Sequence, residues 1–251
     1  MASRAPQTAS DKTLAVLEAL SEHARITDIA HATGLPKPTV HRILQTLVQR
    51  GYARPSGDGD YLGGPRMLAV AGRFLQRLDL PVLLRPLLRD LQERTGWTVH
   101  LALLAGDEAV YVDKLEGAKP YHLASRVGMG LPLHSTSIGK SILASLPEPE
   151  ARQLLSRAGM PGRTANTVTD VDDLLAELRR TSDRGYAEDH EENEAGVCAV
   201  GAPVVDHTGR CVGAVSAAAL VHHMSVEAAE RHGRLVAATA REISRALGAP
   251  V

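Results

Sequence analysis

Apolar residues recur at helical spacing twice between Ile26 and Arg50, on either side of Gly34-Leu35-Pro36. Ile26, Ile29 and Ala30 share one face of the first segment. Val40, Ile43, Leu44, Leu47 and Val48 share one face of the second, the spacing of a helix packed on a core. Gly34 can take positive φ and close the first helix. Pro38 suits the first turn of the second, where a missing N–H costs nothing. The opposite face holds Lys37, Thr39, His41, Arg42, Gln45, Thr46 and Gln49, and no acid. The pattern predicts a helix-turn-helix, against the plainer reading of a helical hairpin with a solvated polar side.

Upstream, residues 1–9 are expected to be disordered. A helix is predicted from a Ser10 or Asp11 cap, with Leu14, Leu17 and Leu20 on one side. Downstream, Gly51 ends the second helix of the pair. Tyr52-Ala53-Arg54 and Asp60-Tyr61-Leu62 read as short strands around a turn of the Asp-Gly type. Three helices and a hairpin predict a winged helix-turn-helix, with Arg54 and Arg66 placed to reach phosphates beside the wing. Pro65 to Leu78 turns helical again, with Met67, Leu68, Ala71, Phe74, Leu75 and Leu78 as a wide apolar stripe. That helix is expected to connect two domains or to pack across a dimer axis. Another helix follows from Pro81, and Pro86 inside it is expected to kink or split it.

Strand character enters at Trp97. WTVHLALLAG and EAVYVDKLEG flank a Gly106-Asp107 hairpin signal, and HLASRVG is a third candidate strand. Helices are predicted from a cap at Ser135, Thr136 or Ser137, over EPEARQLLSRAG, from Val171 to Gly185, and from Val226 to Leu247. Strands are predicted at 186–190, 197–205 and 210–218. The rear of the chain is thus a mixed α+β domain with strands in antiparallel pairs. The expected borders are 1–64 for the winged helix-turn-helix domain, 65–79 for a linker helix and 80–251 for the α+β domain.

A length of 251 residues and 44% apolar content allow two cored domains. Residues 1–78 hold ten Lys/Arg and six Asp/Glu, a balance of +4; residues 79–251 hold 18 and 23, a balance of −5. A basic front and an acidic rear fit a DNA-binding module joined to something that avoids DNA. The start carries no signal-peptide pattern, and no run approaches the length of a membrane span. Cys198 and Cys211 form no CxxC and no metal pattern, which reads as two reduced thiols in or near the core of a cytoplasmic protein, with a disulfide as the alternative. No cofactor, metal or catalytic constellation is expected. Gly139-Lys140-Ser141 resembles the end of a phosphate-binding loop, but His134 stands where that loop needs glycine. The run Glu188 to Glu192 is read as a solvated acidic loop with one inward aspartate rather than a metal site.

Four stretches together are similar to the isocitrate-lyase-regulator family of bacterial transcription factors. They are GLPKPTVHRILQTLVQRGY, YLGGPRMLAVAG, LPLHSTSIGKSILASLP and GYAEDHEENEAGVCAVGAPVVDHTGRCVGAVS. The resemblance runs in order from about residue 11 to 247. It implies a winged-helix DNA-binding domain, a linker helix and a GAF-like effector domain with an antiparallel sheet. It also implies a homodimer or dimer of dimers on palindromic operator DNA, most members being repressors.

For DNA, Lys37, Thr39 and the helix N-terminus are expected to hold a phosphate, with Arg54 beside the wing. His41, Arg42 and Gln45 lie one turn apart and are the expected readers of base edges, Gln45 pairing with adenine. For a carboxylic-acid effector, the resemblance implies Ser137, Ile138 and Gly139 at a helix N-terminus, Asp189 as the first acid of an acidic pair, and Ser216 on the last strand. His190 stands at the second acid. Ala199 and Ala218 replace a cysteine and a serine of the family pattern, which leads to an expected effector that is larger or less polar. The competing readings are a small-molecule enzyme that uses the helix-turn-helix for assembly, and a sensor that has lost DNA recognition.

Overall fold

The computed structural model describes residues 8–76, 80–118 and 121–250. The chain divides into two compact units, Met1–Leu78 and Asp79–Val251.

The first unit contains α1 (Ala9–Glu22), α2 (Ile26–Thr33), α3 (Lys37–Gln49), β1 (Ala53–Pro55), β2 (Tyr61–Gly63) and α4 (Pro65–Gln76). Helix α1 starts earlier than its sequence pattern suggests, because Thr8 and Asp11 form a reciprocal capping box. Its buried side is Val16 and Leu20, with Leu14 left 56% exposed. Thr8 and Ala9 thus belong to the helix start; the rest of the stretch expected to be disordered, residues 1–7, lies outside the described residues. Gly34 closes α2 at φ 66°, and Pro38 sits in the first turn of α3. Val40, Ile43, Leu44 and Leu47 are buried with Val16, Leu20 and Ile29 in one cluster, each contributing roughly 1.5–3 kcal/mol of burial.

The wing pairs Ala53 with Gly63 and Pro55 with Tyr61, one residue later than the sequence pattern suggests. Its tip is a 3-10 turn, Gly57–Gly59, rather than a two-residue Asp-Gly turn. Tyr61 donates its N–H to the Ala24 carbonyl at 2.9 Å, tying the wing to the loop before α2. At the wing exit a Cβ on Gly64 would strike the Gly51 carbonyl oxygen, so only glycine fits. There Gly64 N–H donates to Tyr52 O at 2.9 Å and Arg66 N–H to Gly51 O at 3.0 Å. Along α4, Leu68 is 78% exposed. Of the rest of its expected stripe, the Phe74 and Leu75 side chains and all of Leu78 lie outside the described residues.

The second unit contains α5 (Leu80–Thr95), β3 (Thr98–Ala105), β4 (Glu108–Leu115), β5 (Gly130–Leu131), α6 (Ser137–Ala144), α7 (Glu148–Ala158), α8 (Val171–Arg184), β6 (Ala187–His190), β7 (Val197–Val205), β8 (Cys211–Leu220) and α9 (Val226–Ala246). The strands form one antiparallel six-stranded sheet in the order β5-β4-β3-β8-β7-β6. Alternate residues serve its two faces. Val99, Leu101, Val200 and Val215 meet Leu84, Leu88 and Leu91 of α5 and Val236 and Ile243 of α9. On the other face Ala102 and Ala214 meet Ile138 and Ile142 of α6, with Leu155 and Leu174 behind. The fold is α+β, as the sequence implies.

Helix α5 runs through Pro86 without splitting, which removes one of the two outcomes expected there; burial of Leu84, Leu88 and Leu91 offsets the lost hydrogen bond. One expected strand is absent. HLASRVG forms no strand. Lys114 Nζ instead donates to the carbonyls of Leu123 and Ser125, at 2.9 and 2.8 Å, so a side chain takes the place of a ladder.

Candidate DNA-reading face and acid-binding pocket

Packing of α3 through Val40, Ile43, Leu44 and Leu47 turns Lys37, His41, Arg42, Gln45, Thr46 and Gln49 outward, with Thr39 half-buried. Arg54 and Arg66 are exposed at the wing and its exit. The first turn of α3 carries no acid; Pro38 has no N–H and that of Thr39 donates to Pro36 O at 2.9 Å, so the positive helix end offers an anion the Lys37 amide. Gln45 is not a free side chain. Its Nε2 lies 3.2 Å from the Tyr61 hydroxyl and 3.4 Å from His41 Nε2. Sequence reasoning missed Tyr61, because no local spacing connects residue 61 to residue 45.

In the second unit a pocket opens between the start of α6 and the sheet. Ser137, Ile138, Asp189, Ala199, Ser216 and Ala218 all line it. Gly139 does not. Its Cα lies so close to the Leu133 backbone that a Cβ would overlap it, and its N–H donates to the Thr136 cap at 2.9 Å. The cap thus uses the third amide and leaves those of Ser137 and Ile138 without intrahelical partners. Gly201 of β7 allows the helix to come down on the sheet, since a Cβ there would stand 2.7 Å from Ser137 O.

The polar wall is richer than the sequence pattern indicates. His100 and Tyr111, stacked with ring centroids 4.5 Å apart, line the pocket with Ser125, Asn193 and Glu194. His100 Nε2 lies 2.8 Å from Ser125 Oγ, while its buried Nδ1 has no partner among the described residues. Burial, with Lys114 nearby, drives the imidazole pKa down to about 3, so it is neutral. Burial also pushes the Tyr111 phenol above its usual value. The one sequence signal for His100 is a polar residue within an apolar strand.

Asp189 is 5% exposed. Its Oδ1 accepts the N–H of Glu192 at 2.8 Å, yet burial wins and raises its pKa to about 7. His190 does not join it as the second member of a pair. Strand alternation sends His190 to the other face, opposite Cys198, where its Nε2 lies 2.8 Å from Glu188 Oε2. Hydrogen bonds with Cys198 and Glu188 hold the His190 pKa up, to about 10. Nor is the acidic loop wholly solvated: Glu192 is buried and pairs with Lys140, which is 0% exposed and also binds Glu177. Lys140 therefore holds α6, α8 and the turn after β6 together, which is incompatible with a phosphate-loop role.

The pocket's open space is about 70 Å³, enough for roughly five waters at about 15 Å³ each. Small residues at Ala199 and Ala218 do not make it large, because His100, Tyr111 and Met129 fill the remaining wall. Both cysteines are free thiols, Cys198 buried and Cys211 half-buried. Among the described residues no group of His, Cys, Asp and Glu is placed to hold a metal, and no helix is long and apolar enough to cross a membrane.

Comparison with known proteins agrees over nearly the whole chain. The family described as IclR helix-turn-helix domain matches residues 9–57, and that described as bacterial transcriptional regulator IclR C-terminal matches residues 72–245. The chain is 34% identical to the HTH-type transcriptional regulator XynR of Escherichia coli K12, over 96% of this chain and 97% of that one. It is 31% identical to the transcriptional repressor IclR of the same organism, over 89% and 82%. Among solved structures it resembles the Thermotoga maritima IclR, at 33% identity and TM-score 0.66, over 95% and 98% of the two chains. It also resembles Pseudomonas aeruginosa HmgR, at 26% identity and TM-score 0.74, over 96% and 98%. These relatives are transcriptional regulators rather than enzymes, and a winged helix-turn-helix followed by an antiparallel-sheet domain places this chain among them: it belongs to the IclR family of DNA-binding bacterial transcriptional regulators.

Proposed function

We propose that this protein binds operator DNA through α3 and the wing, and that a short carboxylic acid in the pocket of the second unit changes its operator affinity. Lys37, Thr39 and the α3 N-terminus hold a phosphate, with Arg54 as a second contact beside the wing. His41, Arg42 and Gln45 face the base edges. One such helix buries too little DNA for strong selectivity, so the operator is palindromic and read by a homodimer or a dimer of dimers. Repression is the expected sign, since relatives carry names such as transcriptional repressor IclR and acetate operon repressor. A protein with this role works in the cytoplasm, at the nucleoid.

One observation carries the effector reading. The two free amides of Ser137 and Ile138, the buried Asp189 carboxyl and the neutral His100 all border one small pocket. The amides and the helix dipole favour a carboxylate, and the remaining wall limits its length. The acid acts on DNA binding only by holding one arrangement of the protein more tightly than another.

The test is binding of the full-length protein to its own upstream DNA at two salt concentrations, with and without a panel of two- to six-carbon acids. Salt-sensitive, sequence-selective binding that one short acid alters is the expected result. Operator affinity unchanged by an acid shown to bind tightly would sink the regulatory claim.

A further inference from the structure

Between α3 and the wing, three side chains form a hydrogen-bonded chain. Tyr61 opens β2 with its ring buried in the cluster that holds Val40 and Leu44, leaving it 9% exposed. Its backbone is pinned by the bond to Ala24 and by its pairing with Pro55, so its hydroxyl has a fixed position. That hydroxyl lies 3.2 Å from Gln45 Nε2. One helical turn back, His41 Nε2 lies 3.4 Å from the same nitrogen.

A glutamine amide offers two N–H donors and one carbonyl. With one N–H on the Tyr61 hydroxyl and the other on the lone pair of His41 Nε2, both donors are engaged within the protein. What remains for DNA is Oε1, an acceptor. An unrestrained glutamine reads adenine with two bonds, donating to N7 and accepting from the N6 amino group. A glutamine with engaged donors makes only the second. Resting on the reading that α3 lies in the major groove, the geometry points to Tyr61 as a positioning residue that makes Gln45 an acceptor-only reader of the exocyclic amino group of adenine or cytosine. Base preference at one position is then set from the wing by a residue that touches no DNA. Lys37, Arg42 and Arg54 stand outside this chain of bonds and are unaffected.

The experiment selects preferred sites for the full-length protein from a random duplex library, then repeats the selection with Gln45→Ala and Tyr61→Phe. The base whose preference Gln45→Ala removes is replaced by an analogue lacking the amino group, and, for adenine, by 7-deazaadenine. The expected result is a loss on the order of tenfold without the amino group and none with 7-deazaadenine. Tyr61→Phe keeps the ring and frees one donor. It is expected to change the reading at that base alone, an adenine site becoming sensitive to 7-deazaadenine and a cytosine site losing selectivity, with the salt dependence and thermal midpoint as in the parent; a Tyr61→Phe protein that reads that base as the parent does overturns the inference. A loss with 7-deazaadenine in the parent protein, or affinity unchanged when the amino group is removed, overturns the inference. So does selective binding that Gln45→Ala leaves unchanged, which spares the DNA-reading proposal itself. No selective binding by the parent protein overturns both.

Discussion

Lys140 and Glu192 form a buried ion pair, Nζ to Oε1 at 2.7 Å, and the Glu192 N–H in turn donates to Asp189 Oδ1 at 2.8 Å. The pair thus joins the helix whose N-terminus faces the pocket to the turn that follows β6, the strand carrying the pocket's acid. Replacing Lys140 by Met leaves Glu177 and Glu192 facing one another without a cation. Loss of one partner from a buried pair costs about 3–5 kcal/mol. Urea unfolding at pH 7 is expected to show that loss, with acid binding weakened as well. The triple change Lys140→Met, Glu177→Gln, Glu192→Gln is expected to recover most of the stability. No recovery would mean that the loss comes from the missing hydrogen bonds of Lys140 Nζ rather than from uncompensated carboxylate charge.

Asp189 makes folding and acid binding depend on pH. Its pKa is raised from 3.8 to about 7 in the folded chain. The folded protein therefore keeps a proton that the unfolded chain releases between those values, and this contribution to stability is lost as pH rises through 7. His100 opposes it: its pKa falls from 6.5 to about 3, so stability is lost as pH drops below 6.5. The difference between Asp189→Asn and the parent isolates the first effect. The variant's advantage is expected to grow from pH 4 to pH 7, reaching a few kcal/mol. The charged neighbours Lys140, Glu192 and Glu194 are present in both proteins. A difference that stays flat with pH would exclude a raised Asp189 pKa.

The same carboxyl bears on the proposed ligand. Two negative charges in a pocket of about 70 Å³ repel strongly, so an acid binds best while Asp189 is protonated. Calorimetry is expected to show affinity falling roughly tenfold per pH unit above 7 in the parent. In Asp189→Asn the fall should be absent, and proton uptake on binding should vanish with it.

Gly201→Ala tests the seating of α6. Its Cβ would stand 2.7 Å from Ser137 O, and neither backbone can yield without moving the helix off the sheet. The expected cost is about 1–3 kcal/mol of stability, with acid binding lost and bulk DNA affinity kept. Wild-type acid affinity in this variant would show that the amides of α6 are not the anchor.

On α3, Lys37→Ala and Arg42→Ala should differ in kind. Without the Lys37 ammonium on its phosphate, binding weakens to all sequences alike and the salt slope falls by about one. Without the Arg42 guanidinium on its base, binding weakens by roughly 1–3 kcal/mol and preference relaxes at one position. Binding titrations on operator and scrambled duplex at three salt concentrations separate the two.

The helix-turn-helix was legible because its determinants are local: Gly34, Pro38 and the Val40–Leu47 spacing all act within a few residues. The sheet of the second unit was legible from the apolar runs of β3, β7 and β8 and the turn signals between strands. What stayed hidden depends on residues that meet from distant parts of the sequence. Tyr61 meets Gln45 across 16 residues, and Lys140 meets Glu192 across 52. His190 misleads because a motif position says nothing of strand face, and Gly139 because a helix cap takes its amide. The loop 122–128 resembles a strand because its polar anchoring by Lys114 and His100 leaves no periodicity to read.

The bonds at the wing exit make the end of α3 and the first turn of α4 a single lever. Gly64 fits against the Gly51 carbonyl with no room for a side chain, and Arg66 is bonded back to Gly51. Any tilt of α3 against a DNA groove is therefore transmitted without slack to the opening residues of α4.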